Sequence, residues 1–131
     1  MTFLFLLFAL AQPQQPPEDP IAKLLIPPDL IMARASGIAL TDAQSAAIKN
    51  EIRQTEKKFI DLQWDMQDES RKMEQLLQQS PIDESKVLER ADKVMAVERE
   101  MKRAQLTMLV RLKNLLTPAQ VTKLNTLRTT R

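Results

Sequence analysis

The side chains of this chain that could do chemistry are a group of acids in the middle of the sequence and the scattered methionines. The acids are close together, at Asp61, Asp65, Asp68 and Glu69. Two carboxylates can share general acid–base work, but they need a pocket and a partner base. The chain contains no Cys and no His, so it has no thiolate or imidazole metal ligand and no His general base. We therefore interpret the acidic group as a solvated helix face and expect neither enzyme activity nor a cofactor.

Methionine is the remaining candidate for metal chemistry. Thioethers bind Cu(I), and the chain has seven Met. Four of them, Met66, Met73, Met101 and Met108, fit the apolar stripes of two predicted helices better than they fit a ligand set. Copper binding by Met is therefore a disfavoured alternative, and we assign no residue as a metal ligand.

The composition indicates an all-α fold. Gly occurs once and aromatic residues make up 4% of the chain, whereas strands and their turns need both kinds of residue. Leu, Ala, Met, Gln, Lys, Arg and Glu dominate, and all are good helix formers. A length of 131 residues suits one domain. The net charge of +2 is too small to indicate nucleic acid binding, and no basic motif with interleaved aromatics is present.

The N-terminal residues predict export. Residues 2–10 read TFLFLLFAL, and Ala9-Leu10-Ala11 matches an A-x-A cleavage pattern. The run is too short for the ~20 residues of a transmembrane span. We predict a short, atypical signal peptide at residues 1–11, without the usual basic residue before the apolar run, and therefore export. The alternative is a buried N-terminal segment of a cytosolic protein.

Prolines then separate this leader from the folded domain. Residues 12–20 read QPQQPPEDP, which favours an extended spacer over a helix or a packed strand. We predict a flexible segment at 12–28 and a folded helical domain at 29–131. The predicted helices cover approximately residues 29–36, 41–79, 81–115 and 118–131. Asp29 is expected to cap the first helix and Gly37 to end it, and Ser80 and Pro81 are expected to start the third.

The two long helices should form an antiparallel hairpin, because the break between them is tight. Their apolar residues keep a heptad spacing. The first has the columns Ile52, Phe59, Met66, Met73 and Ile48, Thr55, Leu62, Leu76, interrupted by Glu69; the second has Val87, Ala91, Val94, Met101, Met108, Leu112 and Leu115, interrupted by Glu98 and Gln105. A bare hairpin cannot cover both sides of such stripes, so we expect a homodimer. A further apolar line is expected to be dimer interface, with client surface as the alternative: Leu88, Met95, Leu106 and Leu109.

Two pentapeptides open helices at either end of this hairpin. LTDAQ begins at Leu40 and LTPAQ at Leu116. In each, the Thr can cap the helix and the Gln three residues later can complete a capping box. We interpret these motif residues as structural: Leu40, Thr41, Gln44, Leu116, Thr117 and Gln120.

Two L-T-x-x-Q motifs flanking a long hairpin, behind a leader, resemble the Spy/CpxP family of periplasmic proteins, over roughly residues 29–131. The resemblance implies bent helical hairpins that pair into cradle-shaped antiparallel dimers. Some members are ATP-independent chaperones, some restrain an envelope-stress sensor kinase, and a related branch senses or buffers heavy metals. That branch relies on His ligands, which this chain lacks.

We therefore expect a periplasmic, ATP-independent chaperone that binds unfolded proteins during envelope stress. Basic residues would attract acidic segments before apolar contact forms. The expected client-binding residues are Arg53, Lys57, Lys58, Lys102, Arg103 and Leu106. The alternative is a regulator that docks on the sensor domain of a stress-response kinase, and the third hypothesis is a metal sensor or buffer. Trp64 is expected to be partly buried at an interface.

Overall fold

A computed structural model describes residues 20–129 of the chain. Within this range the chain forms five helices and no strand: α1 Pro20–Lys23, α2 Pro28–Ala33, α3 Asp42–Leu77, α4 Glu84–Leu115 and α5 Pro118–Thr129. The long helices α3 and α4 pack against each other as an antiparallel hairpin, which confirms the predicted all-α class. No helix in the described range is long and apolar enough to cross a membrane. The predicted signal peptide at 1–11 lies outside the described residues.

The seam between α3 and α4 follows a heptad pattern. Both columns predicted for α3 are buried or half-buried. On α4 the prediction was wrong at Glu98 and Gln105, which are exposed and do not interrupt the seam. The preceding residues, Val97 and Ala104, take those positions. They keep the seven-residue spacing that an antiparallel seam requires.

The most deeply buried core lies at the end of the hairpin where α3 begins and α4 ends, which we call the base. Its residues come from both long helices, from α5 and from the segment that precedes α3: Ile26, Ile31, Ile38, Ile48, Leu112, Leu116 and Leu124. The opposite end, with the turn between α3 and α4, is the tip. The base is therefore where four of the five helices are fixed relative to each other.

The folded part begins earlier than predicted. Residues 20–28 were expected to belong to a flexible segment, but α1 is helical and Ile26 is only 1% exposed. Burial of one Ile side chain contributes about 1.5–3 kcal/mol. This offsets the preference of the flanking prolines for an extended spacer. Pro28 then suits the first position of α2, because its missing N–H has no partner in a helix start.

Local helix starts differ from prediction at two places. The cap of α2 is Pro27, without a side-chain hydrogen bond, and Asp29 lies inside the first turn. The helix α4 begins at Glu84, not at Pro81, because Asp83 accepts a hydrogen bond from the backbone N–H of Lys86 at 3.2 Å. An Asp cap also places a negative charge at the positive end of the helix dipole.

The turn between α2 and α3 also differs from prediction. Gly37 was expected to end the helix, but its φ is not positive. The left-handed residue is Ala39, with φ 53°. The turn is closed by hydrogen bonds from the backbone N–H of Leu40 to the carbonyl of Ala35 and from that of Ile38 to the carbonyl of Arg34.

Candidate functional site

The two L-T-x-x-Q motifs form two complete capping boxes. At the start of α3, the backbone N–H of Gln44 donates to Thr41 Oγ1 at 3.1 Å and that of Thr41 donates to Gln44 Oε1 at 3.1 Å. At the start of α5, the equivalent bonds between Thr117 and Gln120 measure 3.2 and 2.9 Å. Each box satisfies two backbone donors that a helix start would otherwise leave without partners.

The two boxes meet at the base through their glutamines. Gln44 Nε2 donates to Gln120 Oε1 at 2.8 Å, and Gln120 Nε2 donates to Gln44 Oε1 at 3.0 Å. Each side-chain amide also donates a hydrogen bond to a backbone carbonyl. Gln44 Nε2 donates to the carbonyl of Leu115 at 2.9 Å, and Gln120 Nε2 donates to the carbonyl of Ile38 at 3.2 Å. Each of the two side-chain amides therefore donates two hydrogen bonds and accepts two. Gln120 is 9% exposed. This arrangement fixes the starts of α3 and α5 against the end of α4.

Glu69 pairs with Arg90 across the seam. Arg90 Nη1 lies 2.7 Å from Glu69 Oε2, and the two side chains are 21% and 17% exposed. The hydrogen bond from Arg90 lowers the pKa of Glu69, and the charges of Lys72 and Lys93 act in the same direction. Glu69 was predicted to belong to a solvated acidic face, and this was wrong. A cation in reach offsets the loss of hydration of a carboxylate at a half-buried seam position.

The other acids of this group are exposed, as predicted. Asp61, Asp65 and Asp68 all lie on the surface of α3, and Asp68 pairs with Arg71 at 2.9 Å. Trp64, on the same helix, is 66% exposed rather than partly buried within this chain. The acidic group therefore surrounds an open Trp and does not form a pair of carboxylates in a pocket.

Two matching lines of exposed side chains run along the long helices. Arg53, Lys57, Ile60 and Trp64 follow one another on α3, and Met95, Arg99, Lys102 and Leu106 do so on α4. Both lines have spacings of four, three and four residues, which keep side chains on one side of a helix. The four apolar members are 49–66% exposed. We call the two lines together the mixed face.

The register of the hairpin puts the two lines at the same level. The Glu69–Arg90 contact sets the register. Trp64 lies five residues before Glu69 on α3, and Met95 lies five residues after Arg90 on α4, so these two side chains are at the same level. The same count pairs Arg53 with Leu106. Both lines lie on the sides of their helices that face away from the seam.

Both lines are also displaced to the same flank. Ile60 directly follows the seam residue Phe59, and Lys102 directly follows Met101. In antiparallel helices, equivalent offsets from the seam fall on one side. The opposite flank shows the same rule, because Lys58 and Glu100 precede those two seam residues and lie 4.0 Å apart. Exposed acids lie nearer the seam on the flank of the mixed face, at Glu56 and Glu98.

The predicted client-binding residues divide between the two flanks. Arg53, Lys57, Lys102 and Leu106 belong to the mixed face. Lys58 lies on the opposite flank, in a groove of about 290 Å³ that Glu51, Glu100 and Arg111 also line. Arg103 borders both this groove and a shallow depression beside Leu106. Sequence reasoning named Met95 and Trp64 only as interface residues and missed Ile60 and Arg99, although the repeated four-three-four spacing was a signal that could have found them.

A metal site needs several donor side chains that converge on one point. No group of three or more His, Cys, Asp or Glu residues in the range 20–129 could hold an ion. The methionines at the seam, Met66, Met73, Met101 and Met108, follow each other at intervals of about 10 Å along the hairpin. Three of their thioethers therefore cannot converge on one Cu(I) ion.

Comparison with known proteins gives one family. A family model described as heavy-metal resistance matches residues 1–123. The comparisons with curated proteins and with solved structures gave no match. The matched range contains both L-T-x-x-Q motifs and the whole hairpin. The chain belongs to the heavy-metal resistance family, the Spy/CpxP-like group of periplasmic helical proteins.

Proposed function

We propose that this chain is a periplasmic, ATP-independent chaperone that holds unfolded proteins on the mixed face during envelope stress. The observation that carries this proposal is the exposure of Trp64, at 66%, together with Ile60 and, at the same level of the hairpin, Met95. Large apolar side chains grouped on a surface mark a site of interaction. Burying one such side chain against a client contributes about 1.5–3 kcal/mol.

Cations at the mixed face supply the first step of capture. Arg53, Lys57, Arg99 and Lys102 are all exposed and alternate with the apolar side chains. Their field attracts acidic segments of an unfolded chain at long range, and salt screens this attraction. Apolar contact with Trp64 and its neighbours then holds the client. Release needs no nucleotide, because each contact is weak and reversible.

A second copy of the chain completes the proposed assembly. In α3 only Ile48 is fully buried, and in α4 only Ala104 and Leu112 are. The remaining seam residues toward the tip are half-buried. A two-helix layer leaves such a seam partly open to water, and an antiparallel homodimer would cover it.

Light scattering of a denatured model protein, diluted into buffer without ATP, tests the proposal. We expect the full chain to suppress aggregation at about one dimer per client and to lose effect at high salt. The double variant W64Q/M95Q should suppress aggregation several-fold less. The matched control is L77Q/I82Q, which removes two side chains of similar exposure at the tip and should behave as the unchanged protein. Absence of suppression at several-fold excess would overturn the proposal.

A second experiment distinguishes the proposed chaperone from a regulator of signalling. A pull-down from envelope extract should recover many clients at low stoichiometry. Recovery of one dominant sensor kinase would instead identify a regulator of signalling. The family's association with heavy metals supports a third function, a metal sensor or buffer. The donor set of residues 20–129 does not support it.

A further inference from the structure

We propose that the base of the hairpin binds an anionic lipid surface through α1. This binding is separate from client binding on the mixed face, and neither depends on the other. The contact surface consists of Ile21 and Leu24 and of the cations that surround them. The partner is a bilayer that carries negatively charged headgroups.

Two apolar side chains, one in α1 and one in the turn directly after it, are exposed to solvent. Ile21 is 60% exposed and Leu24 is 67% exposed, although the nearby Ile26 is 1% exposed in the core. Ile21 and Leu24 are three residues apart, so they project from the same side of this turn. Met32, in α2, is a further exposed apolar side chain of the base, at 62%.

Two cations fix this turn in place. Lys113 Nζ donates to the carbonyl of Leu24 at 2.6 Å. Arg128 donates to the carbonyl of Leu25 at 2.8 Å and to that of Lys23 at 3.4 Å. The bonds come from α4 and α5, so the exposed position of Leu24 is determined by the folded base. They also place two positive charges beside the apolar side chains.

The charge of the base fits a negatively charged partner. The segments 20–41 and 113–129 contain five basic residues, Lys23, Arg34, Lys113, Lys123 and Arg128, and one acid, Asp29, for a formal charge of +4. The tip, taken as residues 67–93, contains seven acids and five basic residues, for a formal charge of −2. A second copy of the base would be repelled. A lipid surface instead accepts apolar side chains at its interface and attracts each cation near it, with about a fivefold gain in affinity per charge.

Docking by the base would also orient the hairpin. Trp64 lies 22 residues after the start of α3, which corresponds to about 30 Å along the helix. With the base on the lipid, the mixed face would stand away from the bilayer. It would stay accessible to proteins released near the membrane.

Co-sedimentation of the full chain with vesicles tests this proposal. The two vesicle types are pure phosphatidylcholine and phosphatidylcholine mixed with phosphatidylglycerol. We expect at least a hundredfold tighter binding to the anionic vesicles at low salt, because each of four net charges contributes about fivefold, and loss of this preference at high salt. The leader cannot produce the preference, because residues 1–19 contain Glu18 and Asp19 and no basic residue.

Three variants separate the base from other surfaces. I21Q/L24Q removes the apolar side chains and should lose most of the binding to anionic vesicles. R34Q/K123Q removes two exposed charges, which carry no part of the core, and should weaken this binding by at least tenfold. L77Q/I82Q, at the tip, should bind as the unchanged protein, and circular dichroism should show the same helix content in all variants.

Equal binding to neutral and anionic vesicles, or unchanged binding of R34Q/K123Q, would overturn the lipid surface as partner. The same variants separate this proposal from the chaperone. I21Q/L24Q should still suppress aggregation, whereas W64Q/M95Q should still bind anionic vesicles. Failure of one activity with survival of the other identifies which proposal is wrong.

Discussion

Gln44 and Gln120, 76 positions apart in the sequence, exchange two hydrogen bonds between their side-chain amides, at 2.8 and 3.0 Å. Each glutamine also completes the capping box of its own helix. The repeated motif therefore does more than start two helices, because its two copies join at the base. This junction joins α3, α4 and α5 at the base, and none of its residues belongs to the mixed face.

Replacing Gln120 with Ala should destabilise the chain by about 2–3 kcal/mol, because it removes hydrogen bonds from several polar partners. These partners are the Gln44 amide, the backbone N–H of Thr117 and the carbonyl of Ile38. Urea unfolding followed by circular dichroism measures the change. Gln63→Ala, at an exposed position of α3, should change stability by less than about 0.5 kcal/mol.

A double-mutant cycle tests whether the two glutamines act as one unit. Adding Gln44→Ala to Gln120→Ala should cost much less than Gln44→Ala alone, because the shared bonds are already lost. Strictly additive effects would show that the capping boxes act independently and that the amide pair contributes nothing.

Ala39 holds a left-handed backbone conformation, with φ 53°, in the turn before α3. An L side chain disfavours this region by about 1–2 kcal/mol relative to Gly. Ala39→Gly should therefore stabilise the chain by about 0.5–1 kcal/mol, after allowing for the greater freedom of Gly in the unfolded chain. Thermal unfolding measures this as a higher Tm.

Gly37, in the same turn, provides the matched control. Its φ is not positive, and a Cβ added there would lie 3.5 Å from the carbonyl oxygen of Arg34, an ordinary contact. Gly37→Ala should be tolerated. A loss of stability on Ala39→Gly would show that the methyl group of Ala39 contributes more than its backbone strain costs.

The sequence predicted the seam and the caps well where the signal was repeated. Heptad spacing over 36 residues of α3 and two copies of one motif leave few alternatives. The prediction of the start of α4 failed because Ser80 and Asp83 are equally good caps in the sequence. Sequence reasoning also failed where the outcome depends on residues distant in sequence. Ile26 is buried only because the helices of the base pack around it. Glu69 looks like a surface acid in the sequence, because its partner Arg90 is known only from the structure.

The Glu69–Arg90 pair should make stability depend on acid pH. Arg90 lowers the pKa of Glu69 below its ordinary value of 4.5, so the unfolded chain takes up a proton there more readily than the folded chain. The contribution of this carboxylate is fully present above about pH 5 and is lost as the pH falls through the folded pKa. Glu69→Gln should be less stable than the unchanged chain near pH 7, and this difference should shrink toward pH 3.

Urea unfolding of both proteins across this range measures the effect. Glu56→Gln serves as the control, because Glu56 is exposed and should give a small difference at every pH. A stability difference for Glu69→Gln that stays constant between pH 3 and 7 would contradict the charge-based explanation. It would assign the effect to packing at the seam instead.

Trp64 gives a direct optical test of which partner covers the mixed face. It is the only Trp of the chain, and at 66% exposure its emission should be typical of a Trp in water. Dilution and concentration of the protein alone should leave the emission unchanged, because the proposed dimer covers the seam and not the outer side of α3. Adding an unfolded client should shift the emission to shorter wavelength as the indole leaves water, and high salt should reduce this shift. A shift that depends on protein concentration without any client would instead show that a second copy covers Trp64. The mixed face would then be the dimer interface and not the client surface.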